Sequence, residues 1–411
     1  MPDTAAPRAP HAAALYLAFV QFLFVTCWTV YVIYLPALLE ASGLPRYYAP
    51  WILILDQLTF MVMDIVMGMA ADRAARTLGR IGPLIIGLTT LSCLAFLLIP
   101  HVAGPGAASS GLLLVLILVW TVTSSALRAP PWVLLDRHAA APGVPWMNAL
   151  MLTGLAVGGA VSPYLGVTLK NLDPRLPFAV SSLALLAATA GLIWVERALS
   201  KHPARPAPRD GAPPRLTPGS CMFAAGCLLL ALGFQIHFSM NSAGQYLRLA
   251  APERLPYLMP VFWIGFNLAM FPGAALARRY GTLPVIAAAA LAGAAATLAS
   301  VLARDLDFLL AAQFAAGGAW GCIMMASFSA ALEFGRSGRE GLALGLLFAA
   351  LAGATLVRIA AVLAELPRHP GIAPALAWAP FALWLAAGLL FAALALGAAS
   401  RRAAPSGARY R

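Results

Sequence analysis

Asp64-Ile-Val-Met-Gly68-Met-Ala-Ala-Asp72-Arg73-Ala-Ala-Arg76-Thr-Leu-Gly79-Arg80-Ile-Gly-Pro83 decides the fold class of this chain. A carboxylate sits inside an apolar run. A glycine follows four residues later, then a second carboxylate, then a basic turn. Apolar sequence resumes after Pro83, so the basic turn joins two long hydrophobic segments. A carboxylate held in lipid-facing sequence is costly and marks an ion or substrate path.

Composition extends this inference to the whole chain. Of 411 residues, 61% are hydrophobic and 10% charged, with a mean hydropathy of +0.83. Soluble domains carry about 25% charged residues. The chain is an all-α integral membrane protein: apolar runs of about 20 residues recur along it, as bilayer-spanning helices require. Met1 to Pro10 has no apolar core, so no cleavable signal peptide is expected.

Twelve spans are expected, at about 12–39, 50–71, 82–100, 111–135, 147–169, 176–198, 219–245, 256–277, 283–303, 308–333, 341–364 and 375–399. The net charge of +12 lies in the loops and is uneven between the two sides. One side holds only Arg46, Lys170, Arg175, Arg248, Arg254, Arg304 and Arg368. The other holds the remaining loop and tail cations, among them Arg8, Arg73, Arg76, Arg80, Arg137, Arg197, Lys201, Arg278, Arg279, Arg336, Arg339 and Arg411. By the positive-inside rule both termini are cytoplasmic, and the charge needs no nucleic-acid partner. Arginine-rich, alanine-rich usage points to a GC-rich bacterial genome and hence to the inner membrane. The five cysteines lie in or near apolar runs and read as packing residues, neither disulfides nor metal ligands.

A proline- and arginine-rich linker at 199–218 divides the chain into halves at 1–198 and 219–411, each with six spans. The second half repeats the punctuation of the first. Gly273-Ala-Ala-Leu-Ala-Arg278-Arg279-Tyr-Gly281 closes span 8, as Gly68-Met-Ala-Ala-Asp72-Arg73 closes span 2, with Arg278 in place of the aspartate. With this topology, central loop and repeated motif the chain resembles the major facilitator superfamily. A glycine- and proline-rich fifth span, Gly154 to Gly166 with Pro163, is similar too. The resemblance implies two six-helix bundles and alternating access.

Within that superfamily, Asp64 to Pro83 looks most like the glycoside–pentoside–hexuronide cation symporters. Arg128-Ala-Pro130-Pro131-Trp132 resembles the proline–aromatic segment of their fourth helix. The family's sugar-holding acids are not reproduced. Span 1 has no buried acid, Arg128 stands where a carboxylate is expected, Ile65 replaces a proline and Phe60 aligns with the second cation-binding acid. A guanidinium pairs with carboxylate or phosphate and cannot accept a hydrogen bond. An anionic or zwitterionic substrate is therefore expected in preference to a neutral sugar.

Asp64 and Asp56 are the ion-coupling candidates, about 21 Å and 9 Å inside the outer boundary at 1.5 Å per residue and about two turns apart. A buried carboxylate can bind H⁺ or Na⁺. The bland alternative for Asp64 is an ion pair with Arg128. Substrate-binding candidates are Arg128, Arg358, Trp263 and Asn267, with His237, Asn241 and Gln245 forming a polar stripe on span 7 that is expected to face the central cavity. Gln235 falls off that stripe. Arg358 could instead snorkel outward, and Gln21, Trp28, Trp120 and Gln313 add polar or aromatic groups. Gly68, Asp72, Arg73, Arg76 and Arg80 are expected to form a cytoplasmic gate, with Glu333, Arg336, Arg339 and Glu340 as its counterpart. Ion pairs formed in only one conformation bias a two-state equilibrium.

No phosphate loop, metal-ligand spacing or nucleophile–base arrangement occurs, so an enzyme is not expected and no cofactor is needed beyond the coupling ion. The expected function is a monomeric secondary transporter meeting a small-molecule substrate and membrane lipids, H⁺ (or Na⁺) coupled. The alternatives are proton-coupled efflux of amphiphiles, lysolipid translocation, or a non-transporting membrane sensor or partner subunit.

Overall fold

The structure, a computed structural model, describes residues 11–77, 80–138, 143–201, 218–336 and 338–403. Most of the expected linker at 199–218, and the basic tail after residue 403, lie outside the described residues.

Twelve helices are long and apolar enough to cross a membrane: α1 His11–Ala41, α2 Arg46–Thr77, α3 Gly82–Val102, α4 Ala108–Asp136, α5 Val144–Thr168, α6 Arg175–Leu199, α7 Gly219–Leu247, α8 Pro252–Tyr280, α9 Thr282–Leu302, α10 Leu306–Gly335, α11 Glu340–Leu363 and α12 Ala373–Ser400. They are the twelve expected spans with ends shifted by a few residues. Their outer faces stay apolar. Leu91, Leu94 and Leu98 on α3 are exposed at helical spacing, as are Leu114 and Leu118 on α4. A face like this is stable only against lipid.

Within the first half α1 packs on α5 and α6, and α3 on α4 and α6. Within the second, α10 packs on α8 and α9, and α12 on α7 and α9. The halves meet along two seams, α2 against α11 and α5 against α8. Glycine permits the first seam. A Cβ on Gly68 would lie 2.0 Å from the Gly341 carbonyl oxygen, and one on Gly345 would lie 2.4 Å from that of Asp64. The backbones of α2 and α11 therefore touch over this stretch.

Two helices depart from regular geometry where the site lies. In α4 the carbonyls of Ala126 and Leu127 face Pro130 and Pro131, which have no N–H to give. The helix breaks into a 3₁₀ turn at Ser125–Leu127, and Arg128 takes φ −91° and ψ −89°. Gln21 on α1 repairs the break by donating to the freed Leu127 oxygen at 2.6 Å. In α7 residues Gln235–Asn241 form a π-helical segment, a feature that often marks functional sites.

Candidate functional site

A cavity of about 330 Å³ lies between the halves. Its walls come from α1 (Gln21, Phe24, Trp28), α2 (Gln57, Phe60), α4 (Arg128), α7 (Phe234, Gln235), α8 (Trp263), α10 (Trp320, Met324) and α11 (Phe348, Thr355, Arg358). The lining is mainly aromatic and aliphatic. Its charged members are Arg128 and Arg358, and no carboxylate lines it.

The helix break aims Arg128 at the floor of this cavity. Its Nε donates to Asp64 Oδ1 at 2.7 Å, and the Asp64 side chain is fully buried behind it. The guanidinium is sandwiched 4.8 Å from the Phe60 ring centroid on α2 and 4.8 Å from that of Phe348 on α11. Cations are attracted to ring faces at this range. One arginine thus touches both halves. Asp64 Oδ2 is buried and has no hydrogen-bond partner among the described residues. Half of this carboxylate is therefore satisfied by Arg128 and half by nothing.

The second ion-coupling candidate lies elsewhere. Asp56 accepts from Tyr31 at 2.8 Å and Thr121 at 2.8 Å, buried among α1, α2 and α4 and away from the cavity. The cause is helical phase. Eight residues exceed two turns and rotate Asp56 by about 80° from Asp64, whereas Gln57, Phe60, Asp64 and Gly68 follow the three-and-four spacing of one stripe. Trp120 packs beside Asp56, stacked on Trp28 at 5.7 Å.

The α7 stripe is likewise displaced. His237, Asn241 and Gln245 do not line the cavity. His237 Nε2 meets Gln313 Oε1 at 3.1 Å, Gln313 donates to Gln245 at 2.8 Å, and Asn241 donates to the Leu376 carbonyl at 3.0 Å. These bonds tie α7 to α10 and α12 inside the second half. The reason is helical phase: Ala231, Phe234 and Gln235 share one face at three- and four-residue spacing, and His237 lies about 200° round from Gln235. Gln235 therefore reaches the cavity wall, bonded to Thr355 at 2.9 Å, just where the π segment begins. Asn267 donates to the Trp263 carbonyl at 3.0 Å and does not line the cavity. Trp263 does line it, with its ring over Gly159 and its Nε1 buried and unpaired. Arg358 is also part of the wall rather than snorkelled outward, and its Nε is buried and unpaired.

At the end of α2, the Asp72 carboxylate accepts the backbone N–H of Gly341 at 2.7 Å and of Leu342 at 3.0 Å. These are orphan donors of the first turn of α11, where the helix dipole favours an anion. Arg76 donates to the Gly338 carbonyl at 2.8 Å. Asn148 on α5 donates to Ser329 on α10 at 2.9 Å, and Trp132 on α4 packs on Phe328 at 4.3 Å. On the side of the termini the two halves are therefore closed together. Arg80 takes no part in this closure. It pairs with Glu196 on α6 at 2.6 Å, within the first half, and Arg73 is exposed. Glu333 accepts from Thr282 at 3.2 Å and lies 4.0 Å from Arg336, both within the second half. Arg278 and Arg279, at the corresponding end of α8, are exposed, and among the described residues neither forms a clamp like that of Asp72.

Sequence reasoning included Gln21 but missed the aromatic clamp and the cavity residues Gln57, Gln235 and Thr355. Phe60 was legible as a site residue, being one turn before Asp64 on the same face. Phe348, Gln57, Gln235 and Thr355 carried no distinguishing signal in an apolar chain.

Solved structures with this arrangement include the E.coli fucose:proton symporter FucP, with 13% sequence identity and a TM-score of 0.68, covering 94% of this chain and 99% of that chain. A bacterial homologue of the iron transporter ferroportin in an outward-facing state is 14% identical, with a TM-score of 0.70 and coverage of 93% and 99%. The human organic anion transporter MFSD10 is 16% identical, with a TM-score of 0.66 and coverage of 94% and 99%. At these identities the likeness is one of fold. No curated protein sequence matches the chain. The family model of the Major Facilitator Superfamily matches residues 17–357. With twelve membrane-crossing helices, a central cavity and this match over most of its length, the chain belongs to the Major Facilitator Superfamily and is a multi-pass membrane transporter, not an enzyme.

Proposed function

We propose that this protein is a proton-coupled carrier of an amphiphilic organic anion, working by alternating access in a cytoplasmic membrane, with Asp64 as the coupling site. One observation carries it: a cavity between the halves holds two guanidinium groups among mainly aromatic and aliphatic side chains, with Gln21, Gln57, Gln235 and Thr355 as its neutral polar groups and no acid among its described lining residues. A neutral polyol could hydrogen-bond to the glutamines of this wall but would bring no counter-charge to its two guanidinium groups. An anion with an apolar body offers charge to the arginines and area to the rings. An organic anion transporter and a proton symporter are among the proteins that share the fold.

Coupling follows from Arg128 having two claimants. Empty, it holds Asp64 as a net-neutral pair. A substrate carboxylate arriving at the same guanidinium competes with Asp64. A carboxylate deprived of its cation in a buried site is stabilised by a proton. The orphan Oδ2 is where that proton goes, and a single free oxygen suits H⁺ better than Na⁺, since hard metal cations take several oxygen ligands. Asp64 resembles in this respect the cation carboxylate that the symporter branch carries on its second helix. The basic loops place both termini in the cytoplasm. The closed side is then the cytoplasmic one.

The test is uptake of radiolabelled aromatic carboxylates, with sugars and cationic amphiphiles as controls, into proteoliposomes under imposed H⁺ or Na⁺ gradients. Arg128→Gln is expected to lower anion binding by about 100-fold, since a hydrogen bond to a charged group contributes roughly 1.5–3 kcal/mol and the guanidinium can make two. Normal anion binding by Arg128→Gln would remove Arg128 as the anchor, and uptake of sugars alone would exclude an anionic substrate.

A further inference from the structure

We propose that the cavity takes an organic dianion, its two acidic groups at opposite ends of a flat apolar body. The proposal rests on the anion site above and specifies its substrate. Arg128 forms the floor, against Phe348. Arg358 lies on the same helix as Phe348, ten residues on. The rise of α11 separates those two Cα atoms by about 15 Å. Phe348, Leu351, Thr355 and Arg358 all line the cavity, so the two arginines belong to one chamber and meet it at different depths along α11.

Arg358 has no structural use for its charge. Among the described residues no carboxylate pairs with it, and its Nε is buried without a hydrogen-bond partner. Burying an unpaired charged donor is costly, and that cost is recovered only when an acceptor arrives. Its neighbour Thr355 is engaged with Gln235 and with the Leu351 carbonyl, and an anion bound in the cavity supplies the missing acceptor. A monoanion held by Arg128 would leave the far guanidinium unpaired. A molecule with a second carboxylate, sulfonate or phosphate on the order of 10 Å from the first satisfies both, at the helical rise that separates them. Between the ends, Trp28, Phe60, Phe234, Trp263 and Trp320 offer ring faces. The Nε1 of Trp263 adds an unpaired donor part of the way along.

Biphenyl dicarboxylate, biphenyl monocarboxylate and the shorter terephthalate separate the alternatives, with binding to the detergent-solubilised full chain read by quenching of tryptophan fluorescence. The wild type is expected to bind biphenyl dicarboxylate about tenfold or more tighter than either other acid, the effect of one added charge-assisted pair. Arg358→Gln should bring the dicarboxylate down to the level of the monocarboxylate, and Arg358→Lys should restore part of the difference. Equal binding of the two biphenyl acids by the wild type, with Arg128→Gln weakening both, would overturn the two-ended substrate while leaving the anion site intact. An equal loss of both acids in Arg358→Gln that Arg358→Lys does not repair would assign Arg358 to folding and also overturn it. Binding of none of the acids by the wild type would remove the anion site itself.

Discussion

Replacing Asp64 with asparagine is expected to abolish proton-driven accumulation while tightening anion binding by about tenfold, or 1.4 kcal/mol. Arg128 Nε is held by the charged Asp64 oxygen in the empty carrier. Asparagine keeps the size and an acceptor oxygen but not the charge, so the guanidinium becomes freer for the substrate. The variant should also lose its pH response. In the wild type, lowering the pH protonates Asp64, releases Arg128 and raises anion affinity; with asparagine the affinity is flat across the same pH series. Counterflow of labelled against unlabelled anion needs no net proton movement and should persist. The fold should survive, because the guanidinium lies between two rings and opens to the cavity, so loss of its counter-ion does not strand it in an apolar interior. Full gradient-driven accumulation by Asp64→Asn would remove Asp64 from coupling. Lost accumulation with unchanged affinity at every pH would instead show that Asp64 and substrate do not compete for Arg128.

The twelve helices were legible in the sequence because the bilayer demands long apolar runs and leaves charge to the loops. The pair Asp64–Arg128 was legible too, as one of two alternatives for each residue, since a membrane core contains few other charges to choose from. Phase was not legible. Asp56 looked equivalent to Asp64 at two turns, but 3.6 residues per turn carries it to Tyr31 and Thr121. Gln235, not His237, faces the cavity because it shares one helical face with Ala231 and Phe234, and a stripe of polar residues does not say which face meets the cavity. The arrangement of Phe60 and Phe348 about Arg128 depends on how α2 and α11 abut. Contact between helices so far apart in sequence has no local signature. The glycines that allow it were visible one by one, and in an alanine- and glycine-rich chain they were not distinctive.

That same seam carries the second large effect. Gly68→Leu is expected to shift the carrier out of the state with its cytoplasmic side closed and to abolish transport. Any Cβ at this position would meet the Gly341 carbonyl oxygen at 2.0 Å, a backbone atom that cannot rotate aside. Separating α2 from α11 there also withdraws the Asp72 carboxylate from Gly341 N–H and Leu342 N–H, one turn farther along. Asp72→Ala removes those two bonds without adding bulk. At roughly 1.5–3 kcal/mol for a hydrogen bond to a charged group, it should shift the two-state equilibrium about 100-fold or more. The second half cannot compensate, since Arg278 stands where an acid would be needed and a cation does not cap a helix N-terminus. A cysteine placed at Ser329, which is buried in the closed interface, reports the change when introduced into a chain whose five native cysteines have been replaced. It should react slowly with a membrane-impermeant thiol reagent applied from the cytoplasmic face in the parent. It should react quickly in Gly68→Leu and in Asp72→Ala. Slow labelling in both variants would mean that the α2–α11 seam is not what holds this side shut. Rapid labelling in Gly68→Leu alone would place the closure in the backbone contact, with the Asp72 clamp contributing little beyond it.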